Sequence, residues 1–282
     1  LTRFASRYTG ASIFFLLQQV VAALLIGHFV GIEELGIWNL SWALVWVPLS
    51  LLAMPITRVM YAAFARLGDD QDEVAKMWLK GTTLLAAVVL PVLFGLIAVA
   101  PDVIPLVFGS QWRPAVPVVQ VLCVMIMSYT LFGFNDAIMD AAGKPHIAMI
   151  LKGVVLIALL PSIWLASGFG IVGVAVAFTL ATLICGQLPS FLITTRQLSL
   201  KALSVLGHLR GIVPASGATC IAVVFLRQAL EDHGIAVEPR VLLSVVAGGV
   251  VYAACLTLFA RSVARELLGM ARGLGPALRS MT

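Results

Sequence analysis

Eight long apolar runs divide the chain, with short polar stretches between them. They lie at about residues 9–30, 37–56, 82–100, 116–137, 147–166, 171–193, 212–226 and 241–259. A helix needs about 20 apolar residues to cross about 30 Å of hydrocarbon, and most of the runs meet that length. The seventh is the shortest and least apolar. Strands of a membrane barrel instead alternate with period two over about 10 residues, and no such alternation is present. The pattern predicts an all-α fold: a polytopic membrane helical bundle of about eight transmembrane helices.

Composition strengthens this reading. Hydrophobic residues make up 61% of the 282 and charged residues 11%. A soluble domain carries roughly 45–50% apolar and 25% charged residues, so a water-soluble fold could not hide this much apolar surface. Cys123, Cys185, Cys220 and Cys255 all sit inside apolar runs without a Cys-x-x-Cys pair. They read as small buried hydrophobes, and neither a disulfide framework nor a zinc site is indicated. The chain opens on Leu1, not Met, and lacks the pattern of a secretory signal peptide. Further sequence upstream is expected.

The cations then orient the spans. Fourteen of the 18 Lys and Arg residues fall on one side of an eight-span reading. Arg113, Arg227 and Arg240 fall on the other, and Lys152 is left inside a span. The positive-inside bias places both chain ends in the cytoplasm. Two cytoplasmic stretches look amphipathic. One is Met60 to Lys80, with an acidic start and Lys76 and Lys80 following, read as a short surface helix. The other is the tail from Arg261 to Arg272, suited to an anionic leaflet. A solvated connector and a frayed tail are the alternatives.

Motifs of hydrolysis and group transfer are absent: no phosphate loop, no His-Glu-x-x-His, no Gly-x-Ser-x-Gly. The four histidines are scattered, so no catalytic residue, metal site or cofactor is indicated, and nothing points to nucleic acid. Polar residues within spans remain, because they are costly in lipid and face a bundle interior. Gln18 and Gln19 lie near the midpoint of the first span, either as interhelical hydrogen-bond partners or as groups lining a cavity. Adjacent residues point about 100° apart on a helix, so the two cannot face one cavity equally. Trp38, Trp42 and Trp46 recur every four residues on the second span, with Asn39 beside them. They serve helix packing or offer flat faces on which sugar rings stack. Arg58 ends that span. Asn135, Asp136 and Asp140 end the fourth, and Lys152 sits about one and a half turns into the fifth. These charges either pair or snorkel, or attract a diphosphate at the cytoplasmic mouth. Pro48, Pro55, Pro91, Pro161, Pro189 and Pro214 are expected to bend their helices.

Four strings add specificity. Ile26-Gly27 and Gly31 are followed by Leu35-Gly36 and Trp38-Asn39, and a second string runs from Arg58 to Leu67. Ala100-Pro101, Leu106, Phe108-Gly109 and Trp112 form a third, extended by Ala115 and Pro117. Ala141, Gly143, Lys144 and Pro145 form the fourth. In order and spacing over about residues 1–195 these resemble the polysaccharide flippases of the multidrug/oligosaccharidyl-lipid/polysaccharide exporter superfamily. Val20, Ala22 and His28 stand where that family often carries Asn, Asp and Arg, and Ala62 stands for a common Pro.

The resemblance implies the second lobe of a two-lobe MATE-like fold. Residues 1–196 would form the six-helix C-lobe, 197–260 two additional transmembrane helices, and 261–282 a basic cytoplasmic tail. It implies a transporter, not an enzyme, that moves an undecaprenyl-diphosphate-linked glycan across the bacterial inner membrane by alternating access. Membrane lipids and other polysaccharide-assembly proteins are the further partners implied. Substrate contacts would come from Gln18, Gln19, Asn39, Trp42, Trp46, Arg58, Asn135, Asp136 and Lys152. A drug or peptidoglycan-precursor exporter of the same superfamily is the alternative. A membrane-embedded glycosyl- or acyltransferase is another.

Overall fold

In a computed structural model the backbone is described for residues 2–67 and 70–259. Side chains are described within those ranges except at 2–12, 58, 62, 65, 67, 141, 203, 206 and 259. The tail predicted at Arg261–Arg272 lies outside the described residues.

The described chain is an all-α bundle. Its helices are α1 (Thr2–Phe29), α2 (Ile32–Leu67), α3 (Gln71–Phe108), α4 (Ala115–Phe132), α5 (Asn135–Ala141) and α6 (Pro145–Ala166). They continue as α7 (Gly170–Thr182), α8 (Leu188–Gln197), α9 (Ala202–Leu209), α10 (Ile212–Asp232) and α11 (Val237–Phe259). Among the described residues six helices are long and apolar enough to cross a membrane. One of them, Pro145–Gln197, is interrupted at Ser167–Phe169, where Gly170 takes a φ of +70° that suits glycine. There α7 turns back to pack along α6, so this segment supplies two passes. The shorter apolar helix Ile13–Phe29 supplies one more. The eight apolar runs are thus each accounted for.

The surface helix expected between Met60 and Lys80 is not formed. Nothing between Met60 and Leu67 breaks a helix, so α2 continues through it. Asp70 then starts α3: its carboxylate accepts from the Glu73 backbone N–H at 3.2 Å, with Asp72 and Glu73 in the first turn. The 36 residues of α2 and 38 of α3 span about 54 and 57 Å at 1.5 Å per residue. Both therefore outreach a bilayer core of about 30 Å.

Prolines divide by position. Pro48, Pro55, Pro91 and Pro161 lie inside helices. Pro214 lies instead at the first turn of α10, where a missing N–H costs nothing, whereas Pro189 follows a helix that runs on from α7 into α8. Just before Pro189 the backbone widens into a π-helical stretch, Leu183–Gln187. That widening relieves the clash between the proline ring and the carbonyl four residues back.

Helix α3 is the hub, packing against α2, α4, α10 and α11, while α1 lies along α6. The membrane windows of α3 and α4 are 56% buried, and that of α11 is 11% buried. The outer surface is apolar, with Trp164, Phe169, Phe225, Leu242 and Leu258 all exposed. This is the inverse of a soluble protein and suits contact with lipid. The main core joins Trp78, Leu93, Ile104, Leu122, Phe134 and Phe178. A separate small cluster of Ala86, Leu90, Leu209, Ile212 and Leu256 seats the last two helices on α3.

Polar links reinforce that seat. The Tyr252 hydroxyl donates to Ala87 O at 2.6 Å. At the other end of α3, Asp102 Oδ1 accepts from Arg240 Nη2 at 2.9 Å and Arg227 Nη1 at 3.3 Å. Glu231 approaches the same two guanidiniums at 3.5 and 3.7 Å. Asp102 is 6% exposed and Arg240 7%, so this is a buried ionic clamp.

Candidate functional site

The first span places Gln18 on the buried face of α1, 2% exposed. Its Nε2 donates to the Lys152 carbonyl on α6 at 2.8 Å. Lys152 Nζ reaches Asp136 Oδ2 on α5 at 2.6 Å. The two side chains are 27% and 38% exposed, so the pair is only partly withdrawn from solvent. Asp136 lies in the first turn of α5, just beyond Gly133 and Phe134, which separate it from α4.

Gln18, Asp136 and Lys152 line one cavity of about 80 Å³. Tyr129, Thr182, Gln187 and Ser190 complete its polar wall. The space suits a few ordered waters bridging polar groups and is too small for an oligosaccharide. Gln187 comes from the π-helical stretch, and such stretches occur frequently at functional sites. Among the described residues no group of three or more His, Cys, Asp or Glu is placed to hold a metal ion.

The remaining expected residues go elsewhere. Gln19 is partly buried and does not line this cavity, as the 100° step requires. Asn39 is exposed and also lies away from it. Asn135 is 1% exposed, its amide without a hydrogen-bond partner among the described residues, and lines neither this cavity nor the pocket described next. The Arg58 side chain lies outside the described residues, although its backbone belongs to α2.

Trp38, Trp42 and Trp46 form a ladder along α2. Ring centroids are 6.2 and 6.0 Å apart, with interplanar angles of 23° and 15°. Phe178 on α7 packs edge-on against Trp38 and Trp42, and Phe15 packs against Trp46. Trp38 is 2% exposed and sits in the core. Of the two uses open to it, Trp38 therefore serves helix packing. Trp46 alone of the three lines an open pocket of about 650 Å³ between α2, α3 and α4.

Sequence reasoning missed Tyr129, Thr182, Gln187 and Ser190. The signal available was the polar dip Gly186-Gln187 and Pro189-Ser190 within the sixth apolar run. It also assigned no role to Asp102, although an acid inside an apolar stretch needs a partner.

The bundle defines the chain as an all-α, multi-pass membrane protein. It aligns with lipid II flippase MurJ in an inward closed conformation at a TM-score of 0.69, with 14% identity, over 89% of this chain and 53% of that one. Residues 1–117 match the family described as polysaccharide biosynthesis protein. Teichuronic acid biosynthesis protein TuaB of Bacillus subtilis (strain 168) is 34% identical over 125 residues, 44% of this chain and 26% of that protein. Lipopolysaccharide biosynthesis protein WzxC of Escherichia coli (strain K12) is 28% identical over 183 residues, 64% of this chain and 37% of that protein. Succinoglycan biosynthesis transport protein ExoT of Rhizobium meliloti (strain 1021) is 23% identical over 98% of this chain and 56% of its own length. The chain is thus related to membrane proteins of polysaccharide biosynthesis, as the four strings indicated. It spans from about a quarter to a little over half of these relatives' length.

Proposed function

We propose that this chain is one lobe of a transporter that carries a lipid-linked glycan across the bacterial inner membrane by alternating access. The observation that carries the reading is the pairing of a flippase fold over 89% of the chain with relatives named for polysaccharide biosynthesis and transport. The substrate class is a glycan on an undecaprenyl diphosphate. In this reading residues 1–196 are the lobe, α10 and α11 are added helices, and both chain ends face the cytoplasm on the charge bias. Neighbouring polysaccharide-assembly proteins would supply and receive the substrate.

Gln18, Asp136 and Lys152 tie α1, α5 and α6 around the polar cavity. Bonds of this kind hold helices in one arrangement and must be exchanged when the bundle rocks. Gln18→Ala removes one of them and costs about 1 kcal/mol, or about fivefold in a conformational equilibrium. The full-length protein is expected to restore surface polysaccharide in a flippase-deficient host. Gln18→Ala is expected to export several-fold less at unchanged protein level. No rescue by the well-inserted parent protein across several glycan backgrounds would remove the transport reading. Parental export by Gln18→Ala would remove that residue from the site.

A further inference from the structure

The open pocket beside Trp46 differs in chemistry from the ionic cavity that it adjoins. Tyr129 and Gly133 line both, so one wall separates them. Among the described residues no charged side chain lines the open pocket. A diphosphate needs cationic or charge-assisted donors, and none of these described side chains supplies one.

What it presents is three aromatic side chains, Trp46, Tyr61 and Tyr129, and three aliphatic hydroxyls, Ser50, Thr57 and Thr130. Ser50 Oγ donates to Val47 O at 2.9 Å, Thr57 Oγ1 to Ala53 O at 2.8 Å, and Thr130 Oγ1 to Ile126 O at 2.9 Å. Each of these three aliphatic hydroxyls donates its proton to its own helix. What remains is lone pairs, which accept from a donor-rich ligand. A prenyl chain offers them no donor, whereas a sugar ring offers several. Sugar rings also present apolar C–H faces that lie against aromatic planes.

Trp46 is already held in place, with Trp42 at 6.0 Å on one side and Phe15 at 5.6 Å. Little side-chain entropy remains for it to lose on binding. The volume of about 650 Å³ falls within the range of small-molecule sites, about 300–1,000 Å³.

We propose that this pocket between α2, α3 and α4 is a carbohydrate-recognition site for an uncharged sugar unit of the transported glycan. The proposal rests on the transport reading for its biological setting and on the pocket's own chemistry for its ligand.

The test is a binding titration on the full-length protein in lipid nanodiscs, read by saturation-transfer NMR. The probes are methyl glycosides of glucose, galactose and N-acetylglucosamine, with inorganic diphosphate and undecaprenyl phosphate as comparisons. At least one glycoside is expected to bind saturably. Trp46→Leu is expected to weaken it about tenfold and the isosteric Thr57→Val about threefold. Lys76→Gln, on the exposed start of α3, is expected to leave it unchanged. The proposal falls if no glycoside binds the parent protein, or if Trp46→Leu and Thr57→Val bind as the parent does. It also falls if those variants weaken undecaprenyl phosphate instead, which would make the pocket a lipid site. Export in a flippase-deficient host reports separately. Failed export together with Trp46-dependent sugar binding upholds the pocket and removes the transport reading.

Discussion

Asp102→Ala is expected to loosen the last two helices from the bundle, at a cost of about 3–5 kcal/mol. The carboxylate is the shared acceptor for Arg227 and Arg240. Without it, two cations on α10 and α11 are left with Glu231, which is 55% exposed and longer in reach. A buried guanidinium that loses its acceptor carries the desolvation penalty unrelieved. The measurement is thermal unfolding of the purified protein, with limited proteolysis to locate the opening. Cleavage is expected in the α10–α11 region before the rest. Asp102→Leu with Arg227→Met and Arg240→Met is expected to recover most of the loss, because a packed apolar set avoids the burial cost of ions. An unaltered melting temperature in Asp102→Ala would show that the clamp contributes nothing.

Lys152→Met is the second large change. It leaves Asp136 facing the polar cavity without its cation, while Gln18 keeps its bond to the Lys152 backbone carbonyl. The pair is partly solvated, so the cost is smaller than for a fully buried one, about 1–3 kcal/mol. Asp136→Asn alone is expected to cost a similar amount. The double variant is expected to lose less than the sum, with a coupling of about 1–2 kcal/mol. Strict additivity in thermal unfolding would mean that the 2.6 Å contact is energetically silent.

Much of this fold was legible because the bilayer imposes a simple rule: a long apolar run becomes a helix. Each run has its helix, and Gly170 marks the fold-back that keeps the fifth and sixth runs apart. The stretch from Met60 to Lys80 misled for a physical reason. Its charges look like a surface helix, yet nothing in Met60–Leu67 stops α2, and the acids of Asp70–Glu73 serve as the start of α3. Gln18 and the Asp136–Lys152 pair were legible from cost alone, since groups of this kind are kept in lipid only where they find partners. Which of the two glutamines would turn inward was not legible. That choice depends on the rotation of α1 against α6, which is set by packing. Tyr129, Thr182, Gln187 and Ser190 stayed hidden because hydroxyls and a single amide are common in membrane helices and carry no pattern of their own. Trp46 was singled out with Trp42, but only the tertiary fold separates the ring that faces a pocket from those that fill the core. Asp102 needed its partners, and they lie more than a hundred residues further along the chain.

The wide turn at Leu183–Gln187 also sets an angle. One residue more than an α-turn needs is accommodated there, so everything after it is rotated by about 100° relative to a continuous α-helix. Gln187 and Ser190 owe their aim into the cavity to that offset. Shortening the stretch by one residue would keep every side chain of α8 and yet turn its faces, presenting lipid-facing Leu188 and Leu192 to the interior. The segment is a phase shifter: beyond supplying Gln187, it decides which chemistry the helix after it presents to the interior.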